Sequence, residues 1–159
     1  MQAVIYKKYG TPDQLRLVEV PTPTPTDQEV LIKIHACSIN GSDRENLVGK
    51  PLYARMSGGG LRKPGKPILG SDIAGTVAAV GKNHTEFQVG DELFGELPGY
   101  HGGFAEYVCT SGETLALKPA NLTFSQAAAI PQAGAIARQG IREQGQVQAG
   151  QQVLINGAG

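Results

Sequence analysis

The chain has 159 residues, a length typical of about one domain. Its 14 lysine and arginine residues balance its 14 aspartate and glutamate residues, and this zero net charge disfavours a nucleic-acid binder or a polybasic membrane surface. Two cysteines are too few for a disulfide framework or a four-thiolate zinc site, and no apolar run approaches the ~18 residues of a membrane span.

The first two thirds of the chain predict short strands and turns, since 22 glycines and 10 prolines indicate many turns. In the clearest strand, at 29–39, apolar side chains from Val30 to Ala36 alternate with Lys33 and His35 on the other face. We therefore expect His35 to be a solvated strand residue and not a ligand. The strand candidates, whose number and spacing are typical of a barrel or sandwich, are 3–7, 15–20, 29–39, 73–80, 92–95, 104–109 and 114–118.

Two glycine-rich segments are predicted to be loops. A short helix over 43–48, capped by Ser42, leads into the first of them, at 49–70. This segment carries basic residues and no acid, so it is either a solvated loop or a lid that attracts an anionic ligand. The second loop surrounds His101, which we expect to be a surface histidine, with a general acid as the alternative.

The last part of the chain has a helical pattern that ends in a short apolar strand. Thr123 and Gln126 form a capping box, Pro131 interrupts the helix, and the pattern resumes over 132–144. A buried-type strand is predicted over 151–156, and it runs into Gly-Ala-Gly at 157–159. A strand followed by Gly-x-Gly is how a dinucleotide-binding unit begins, but the third glycine and the phosphate-binding helix are absent from this sequence.

Several motifs, taken in order, resemble the N-terminal part of the medium-chain dehydrogenase/reductase superfamily. They are Asn-Gly-Ser-Asp at 40–43, Leu-Gly-Ser-Asp-Ile-Ala-Gly at 69–75, Phe-Gln-Val-Gly-Asp at 87–91 and Gly-Phe-Ala-Glu-Tyr-Val at 103–108. The resemblance extends over residues 2–159 and is strongest to the quinone oxidoreductases, the zinc-free members.

The resemblance implies a mainly β, α+β fold. A GroES-like, partly open β-barrel with short helices is expected over residues 1–122. Residues 123–159 are expected to form a C-terminal helix and the first strand of a Rossmann domain, the rest of which this sequence lacks.

The resemblance also implies that no zinc is bound. The zinc alcohol dehydrogenases carry a cysteine ligand at the position of Asn40 and a histidine ligand at the position of Ser71, and neither residue here is a good zinc ligand. No cysteine-rich lobe stands between residues 97 and 102. Cys37 and Cys109 match neither zinc site, and we interpret both as small packing residues.

The activity implied by the resemblance is NAD(P)H-dependent reduction of a quinone, enone or similar activated carbonyl. The catalytic residues it implies are Asn40 as an amide donor, Ser42 at the position of a proton-relay hydroxyl, and Tyr53 in the loop. NADPH or NADH is expected to contact Asn40, Gln132, Gly157 and Gly159. Each catalytic candidate has a structural alternative, since Asn40 ends a strand, Ser42 caps a helix and Tyr53 packs a loop.

Two other function classes stay open at this point. One is a non-catalytic binding or assembly module, because the same barrel architecture occurs in the chaperonin-10 co-chaperonins; the glycine-rich segment 49–66 lacks their apolar tripeptide, which disfavours it. The other is a degenerate chain with a structural role. As an enzyme, the chain is expected to be inactive without a Rossmann domain and to self-associate through strand 151–156.

The expected partner is a small-molecule quinone or carbonyl compound, and neither a nucleic acid nor a membrane. The N-terminus lacks a signal-peptide pattern, so we expect the protein in the cytoplasm.

Overall fold

The computed structural model describes residues 1–57 and 60–156 of the chain. Its strands are β1 Gln2–Ile5, β2 Arg16–Glu19, β3 Val30–Cys37, β4 Asp72–Val80, β5 Glu92–Glu96, β6 Tyr107–Thr110 and β7 Leu115–Leu117. Its helices are a 3-10 turn at Pro12–Gln14, α1 Gly41–Val48, α2 Leu52–Ser57, α3 Phe124–Ala128, α4 Pro131–Arg138 and a π-helical turn at Gln139–Gln144. The predicted strands are therefore all present except the one at 151–156, and the expected mainly β chain with short helices is confirmed.

The strands form two antiparallel sheets. The larger sheet has the order β6-β3-β4-β5-β7, and β1 pairs with β2 in the smaller one. Isolated bridges from Ala3 to Ala105 and from Ile5 to Ile68 attach the small sheet to the rest of the chain. No helix in the described ranges is long and apolar enough to cross a membrane.

The core lies against the long strands β3 and β4. Val30 and Ile32 are fully buried whereas Lys33 is exposed, so the period-two pattern is confirmed. At Gly75 a Cβ atom would lie 2.2 Å from the carbonyl oxygen of Lys33, so only glycine permits the observed approach of β4 to β3. The buried core residues are Val30, Ile32, Ile73, Val77, Leu93, Leu97 and Leu115.

The first of the C-terminal helices, α3, packs against the larger sheet. Thr123 and Gln126 make the predicted capping box at the start of α3. Ala127 and Ala128 of α3 then pack on Ala74 of β4, and these small side chains let the helix approach the sheet closely. The division of the chain at residue 122 stays a prediction.

Two local predictions near α1 are wrong. Ser42 does not cap the helix: α1 begins at Gly41, and the carboxylate of Asp43 accepts the backbone N–H of Asn40 at 2.8 Å. The segment 49–70 is not all loop, because it contains α2. Arg55 of α2 donates from Nε to the carbonyl of Gly49 at 2.9 Å, so its charge is used to fold this segment.

The predicted strand over 151–156 is not formed. Val153, Leu154 and Ile155 are 53%, 93% and 59% exposed, and no described strand lies beside them. A strand is stable only where its N–H and C=O groups pair with a neighbour, which explains why an apolar pattern alone does not produce one here. The cofactor candidates Gly157 and Gly159 lie outside the described residues.

Candidate functional site

A cleft of about 590 Å³ opens where α1, α2, α4 and the loop after β5 meet. It collects three of the residues predicted from the sequence, Ser42, Tyr53 and Gln132, which come from three different helices. The remaining lining residues are Gly41, Glu45, Asn46, Ala54, Tyr100 and Ile136.

Asn40 lies beside this cleft but does not line it. Its side-chain amide donates to the hydroxyl oxygens of Ser38 at 3.3 Å and Ser71 at 3.2 Å. Both positions that the resemblance matches to zinc ligands, Asn40 and Ser71, are therefore hydrogen-bonded to each other. Because these contacts use both amide hydrogens, Asn40 would have to exchange a partner before it could donate to a ligand.

Asp43 holds the start of α1 at the edge of the sheet. Its buried carboxylate accepts the backbone N–H groups of Asn40 and Gly70, each at 2.8 Å. Burial raises the pKa of Asp43; the two N–H groups oppose that change and the nearby Asp72 carboxylate adds to it. The contact with Gly70 joins α1 to the chain just before β4, and so places Ser42 at the cleft.

Two carboxylates, those of Asp72 and Glu96, fix Gln132 at the start of α4. The backbone N–H of Gln132 donates to Asp72 at 2.9 Å, and its side-chain Nε2 donates to Glu96 at 3.0 Å. An ionised carboxylate only accepts hydrogen bonds, so Glu96 turns the carbonyl oxygen of Gln132 the other way. That oxygen accepts the hydroxyl of Ser42 at 3.4 Å.

The hydrogen bonds that link Glu96, Gln132 and Ser42 determine whether the Ser42 hydroxyl is left to donate or to accept. Its one hydroxyl hydrogen is directed to Gln132, so its lone pairs remain for a ligand that donates. Burial is the main cause that raises the pKa of Glu96; the Gln132 hydrogen bond lowers it and the Asp72 carboxylate raises it further. The hydrogen bond between Ser42 and Gln132 joins residues 90 positions apart in the chain, so no local pattern predicts it.

Tyr53 contributes a ring to the cleft wall, and its hydroxyl is already engaged. The phenol donates to the Glu45 carboxylate at 2.6 Å. This hydrogen bond is the main cause that raises the pKa of Tyr53, so the phenol keeps its proton at neutral pH. The structure thus supports Tyr53 as a wall of the cleft more than as an acid.

Tyr100 is a cleft residue that the sequence patterns did not single out. Its φ is 63°, in the left-handed region, which costs a non-glycine residue about 1–2 kcal/mol. Its hydroxyl makes no hydrogen bond to another described residue. The signal in the sequence was an aromatic residue between the turn glycines Gly99 and Gly102, both of which have positive φ.

His101, the next residue, is buried and not at the surface as predicted. Only 8% of it is exposed, and it lines a different cavity together with Leu97 and Thr110. Burial lowers the pKa of His101, the positive charge of Lys66 lowers it further, and the Ile68 backbone opposes both. A loop histidine is buried here because the loop folds back on the strand ends, which its composition does not reveal.

His35 and Cys37 lie as the sequence predicted, and Cys109 is half-buried on β6. His35 is exposed on β3, where it bonds Thr76 at 3.0 Å. Cys37 packs against the core cluster, and burial, followed by the Asp43 and Asp72 charges, raises its pKa to about 12. Burial, followed by the charge of Glu29, raises the pKa of Cys109 to about 11. In residues 1–57 and 60–156 no three His, Cys, Asp or Glu side chains are placed to hold a metal ion.

More than half of the sequence matches a known family. Residues 26–120 match the family model of the alcohol dehydrogenase GroES-like domain. The chain belongs to the alcohol dehydrogenase GroES-like domain family. This GroES-like domain is 38% identical over 160 aligned residues to the quinone oxidoreductase of Homo sapiens, covering 99% of this chain and 46% of that relative.

Two further comparisons agree. The chloroplastic NADPH-dependent alkenal/one oxidoreductase of Arabidopsis thaliana is 34% identical over 168 aligned residues, covering 100% of this chain and 42% of the relative. The solved quinone oxidoreductase from Coxiella burnetii superposes with a TM-score of 0.83 at 34% identity, covering 94% of this chain and 46% of that one. The predicted GroES-like fold and the likeness to quinone oxidoreductases of the medium-chain superfamily are confirmed, and the chain spans about half the length of these relatives.

The burial of His101 makes the stability of the GroES-like domain depend on pH. A folded-state pKa below the unfolded value means that the unfolded chain binds the proton more readily, so stability is lost as pH falls below ~6.5. In the variant His101→Gln this contribution is absent. Urea unfolding is compared at about pH 7.5 and about pH 5.5, which lie on either side of the ordinary histidine pKa. We expect the parent to lose more stability than the variant when the pH is lowered from the first value to the second. Equal losses in the two proteins would contradict a buried, neutral His101.

Proposed function

We propose that this GroES-like domain is the substrate-binding half of an NADPH-dependent oxidoreductase. The enzyme would reduce a quinone, an enone or a similar activated carbonyl by hydride transfer. The observation that carries the proposal is the cleft, whose lining combines Tyr53, Tyr100 and Ile136 with a hydrogen-bonded polar pair, Ser42 and Gln132. Apolar walls with a few fixed polar groups are typical of sites for small unsaturated molecules.

The relatives support the same class of reaction. Their names describe a quinone oxidoreductase and an NADPH-dependent alkenal/one oxidoreductase, and both align with this whole chain at 34–38% identity. The chain covers less than half of the length of either relative.

The cleft has groups that suit a nicotinamide ring. Ser42 presents an acceptor, which complements the N–H₂ donor of a carboxamide, and Ile136 presents an apolar side chain that is 64% exposed. Asn40, Gln132, Gly157 and Gly159 are the other proposed contacts of the cofactor. When bound, the nicotinamide supplies the hydride, and the residues of this chain bind and orient the carbonyl compound.

We propose further that the enzyme works without zinc, in the cytoplasm. Asn40 and Ser71, at the positions matched to zinc ligands, bond each other at 3.2 Å, and a serine hydroxyl and an amide are poor zinc ligands. Three carboxylates, Asp43, Asp72 and Glu96, take part in hydrogen bonds that hold helices to the sheet. The donor set therefore fits a hydrogen-bonded site better than a metal centre.

The activity is tested with the protein purified from its natural source. With benzoquinone and with an alkenal, we expect loss of the absorbance of NADPH, at a rate that dialysis against a chelator leaves unchanged. The 159-residue chain alone should show no turnover, because it covers only 46% of its quinone oxidoreductase relative. No turnover of either compound by the source protein would refute the proposed reaction. Loss of activity on chelation, reversed by zinc, would refute zinc independence.

We also propose that the isolated chain self-associates through residues 151–156. Leu154 is 93% exposed there between Val153 and Ile155, and apolar extended segments with unpaired edges attract one another. In sedimentation velocity, the substitution Leu154→Lys should lower the dimer fraction of the 159-residue chain. The matched control is Leu17→Lys, at an apolar position on β2 that is 65% exposed. A dimer fraction unaffected by Leu154→Lys, or lowered equally by the control, would contradict this proposal.

A further inference from the structure

Reduction of a carbonyl compound requires a hydrogen-bond donor at the substrate oxygen. When a hydride adds to the substrate carbon, the electron pair of the broken π bond moves to that oxygen, and a proton from water later neutralises it. A fixed donor beside the oxygen stabilises the charge as it develops. The described lining of the cleft contains three hydroxyls for this role, those of Ser42, Tyr53 and Tyr100.

Two of these hydroxyls are directed to acceptors within the protein. Ser42 donates its hydrogen to the side-chain oxygen of Gln132, which Glu96 holds in that orientation. Tyr53 donates its hydrogen to the Glu45 carboxylate at 2.6 Å, the stronger of the two contacts because the acceptor is charged. Neither hydroxyl can donate to a substrate without breaking a hydrogen bond.

Tyr100 has no such competing acceptor among the described residues, and its side chain is 40% exposed in the cleft. Its backbone is held in place on both sides. The N–H of Tyr100 donates to the carbonyl of Leu97 at 3.1 Å, and the following residue, His101, is buried. Tyr100 has a left-handed φ of 63° and lines the cleft, whereas His101 lines a separate cavity.

We propose, on the basis of the proposed function, that Tyr100 is a catalytic residue whose hydroxyl donates a hydrogen bond to the carbonyl oxygen of the substrate. Tyr53 and Ile136 form the apolar walls, and Ser42 accepts from the carboxamide. The left-handed backbone at Tyr100 thus serves to aim the phenol, in keeping with the tendency of strained residues to lie at functional sites.

The test compares three tyrosine-to-phenylalanine variants of the protein, each expressed from its natural gene. We expect Tyr100→Phe to lower kcat for an alkenal about a hundredfold while KM changes little, since the donor acts on charge that develops in the transition state. Tyr107→Phe, in β6 outside the cleft, is the matched control and should keep the parent rate. A Tyr100→Phe enzyme with the parent kcat, or a larger loss in Tyr53→Phe, would overturn the proposal.

A second readout separates this proposal from the proposed function. The Cζ resonance of ¹³C-labelled Tyr100 should shift when cyclohexenone is added without a cofactor, and the Tyr107 resonance should not. A shift in a protein that reduces no quinone or enone would sustain the hydrogen bond and refute the reaction. An active enzyme whose Tyr100 resonance does not respond would refute the role of Tyr100 and leave the reaction standing.

Discussion

The buried carboxylate of Asp72 is the constraint on which the cleft depends. It is 1% exposed and accepts the backbone N–H of Gln132 at 2.9 Å and the hydroxyl of Ser71 at 3.2 Å. A carboxylate this deeply buried must be hydrogen-bonded, and one of the donors it uses is the first turn of α4. The helix is thereby held at the start of β4.

Asp43 does the same for α1, and one of its donors lies near Asp72 in the chain. Asp43 accepts from Gly70, two residues before Asp72, so α1 and α4 meet at one end of the same strand. The cleft lies between these helices because Asp43 and Asp72 each accept an N–H group from the start of one helix. The lining it acquires is then fixed by Glu96, through Gln132 and Ser42.

This arrangement also bears on the charge of the ligand. Asp43, Asp72 and Glu96 have no ion-pair partner among the described residues, and the Asp72 charge raises the pKa of both Asp43 and Glu96. Negative charge near the cleft disfavours an anionic ligand, which is in keeping with the proposed neutral carbonyl compound. The basic residues of 49–70 do not offset it in the cleft, where none of them is a lining residue.

Local features of the fold were predictable from the sequence, and features that depend on long-range contacts were not. The alternation from Val30 to Ala36 and the capping box at Thr123 rest on neighbours within a few residues, and both are confirmed. The strand at 151–156 was predicted wrongly, because pairing depends on a partner that hydrophobicity does not identify.

The candidate site shows the same division. Motif positions identified Ser42, Tyr53 and Gln132, and the structure brings these together in one cleft. Glu96 was missed because its contact with Gln132 spans 36 positions, and Tyr100 because its role depends on a backbone conformation. His101 was wrongly predicted to lie at the surface because the composition of a loop does not show whether the loop is buried.

The most direct test of this account is hydrogen exchange at the backbone amide of Gln132. In Asp72→Ala the amide loses its charged acceptor, a contact worth about 1.5–3 kcal/mol, so its exchange should become at least about tenfold faster. The Ile32 amide in the central strand should keep its protection, and Asp72→Asn, which retains an acceptor oxygen, should restore most of the protection at Gln132. Unchanged exchange at Gln132 in Asp72→Ala would show that the carboxylate does not hold α4 in place, and would contradict the account.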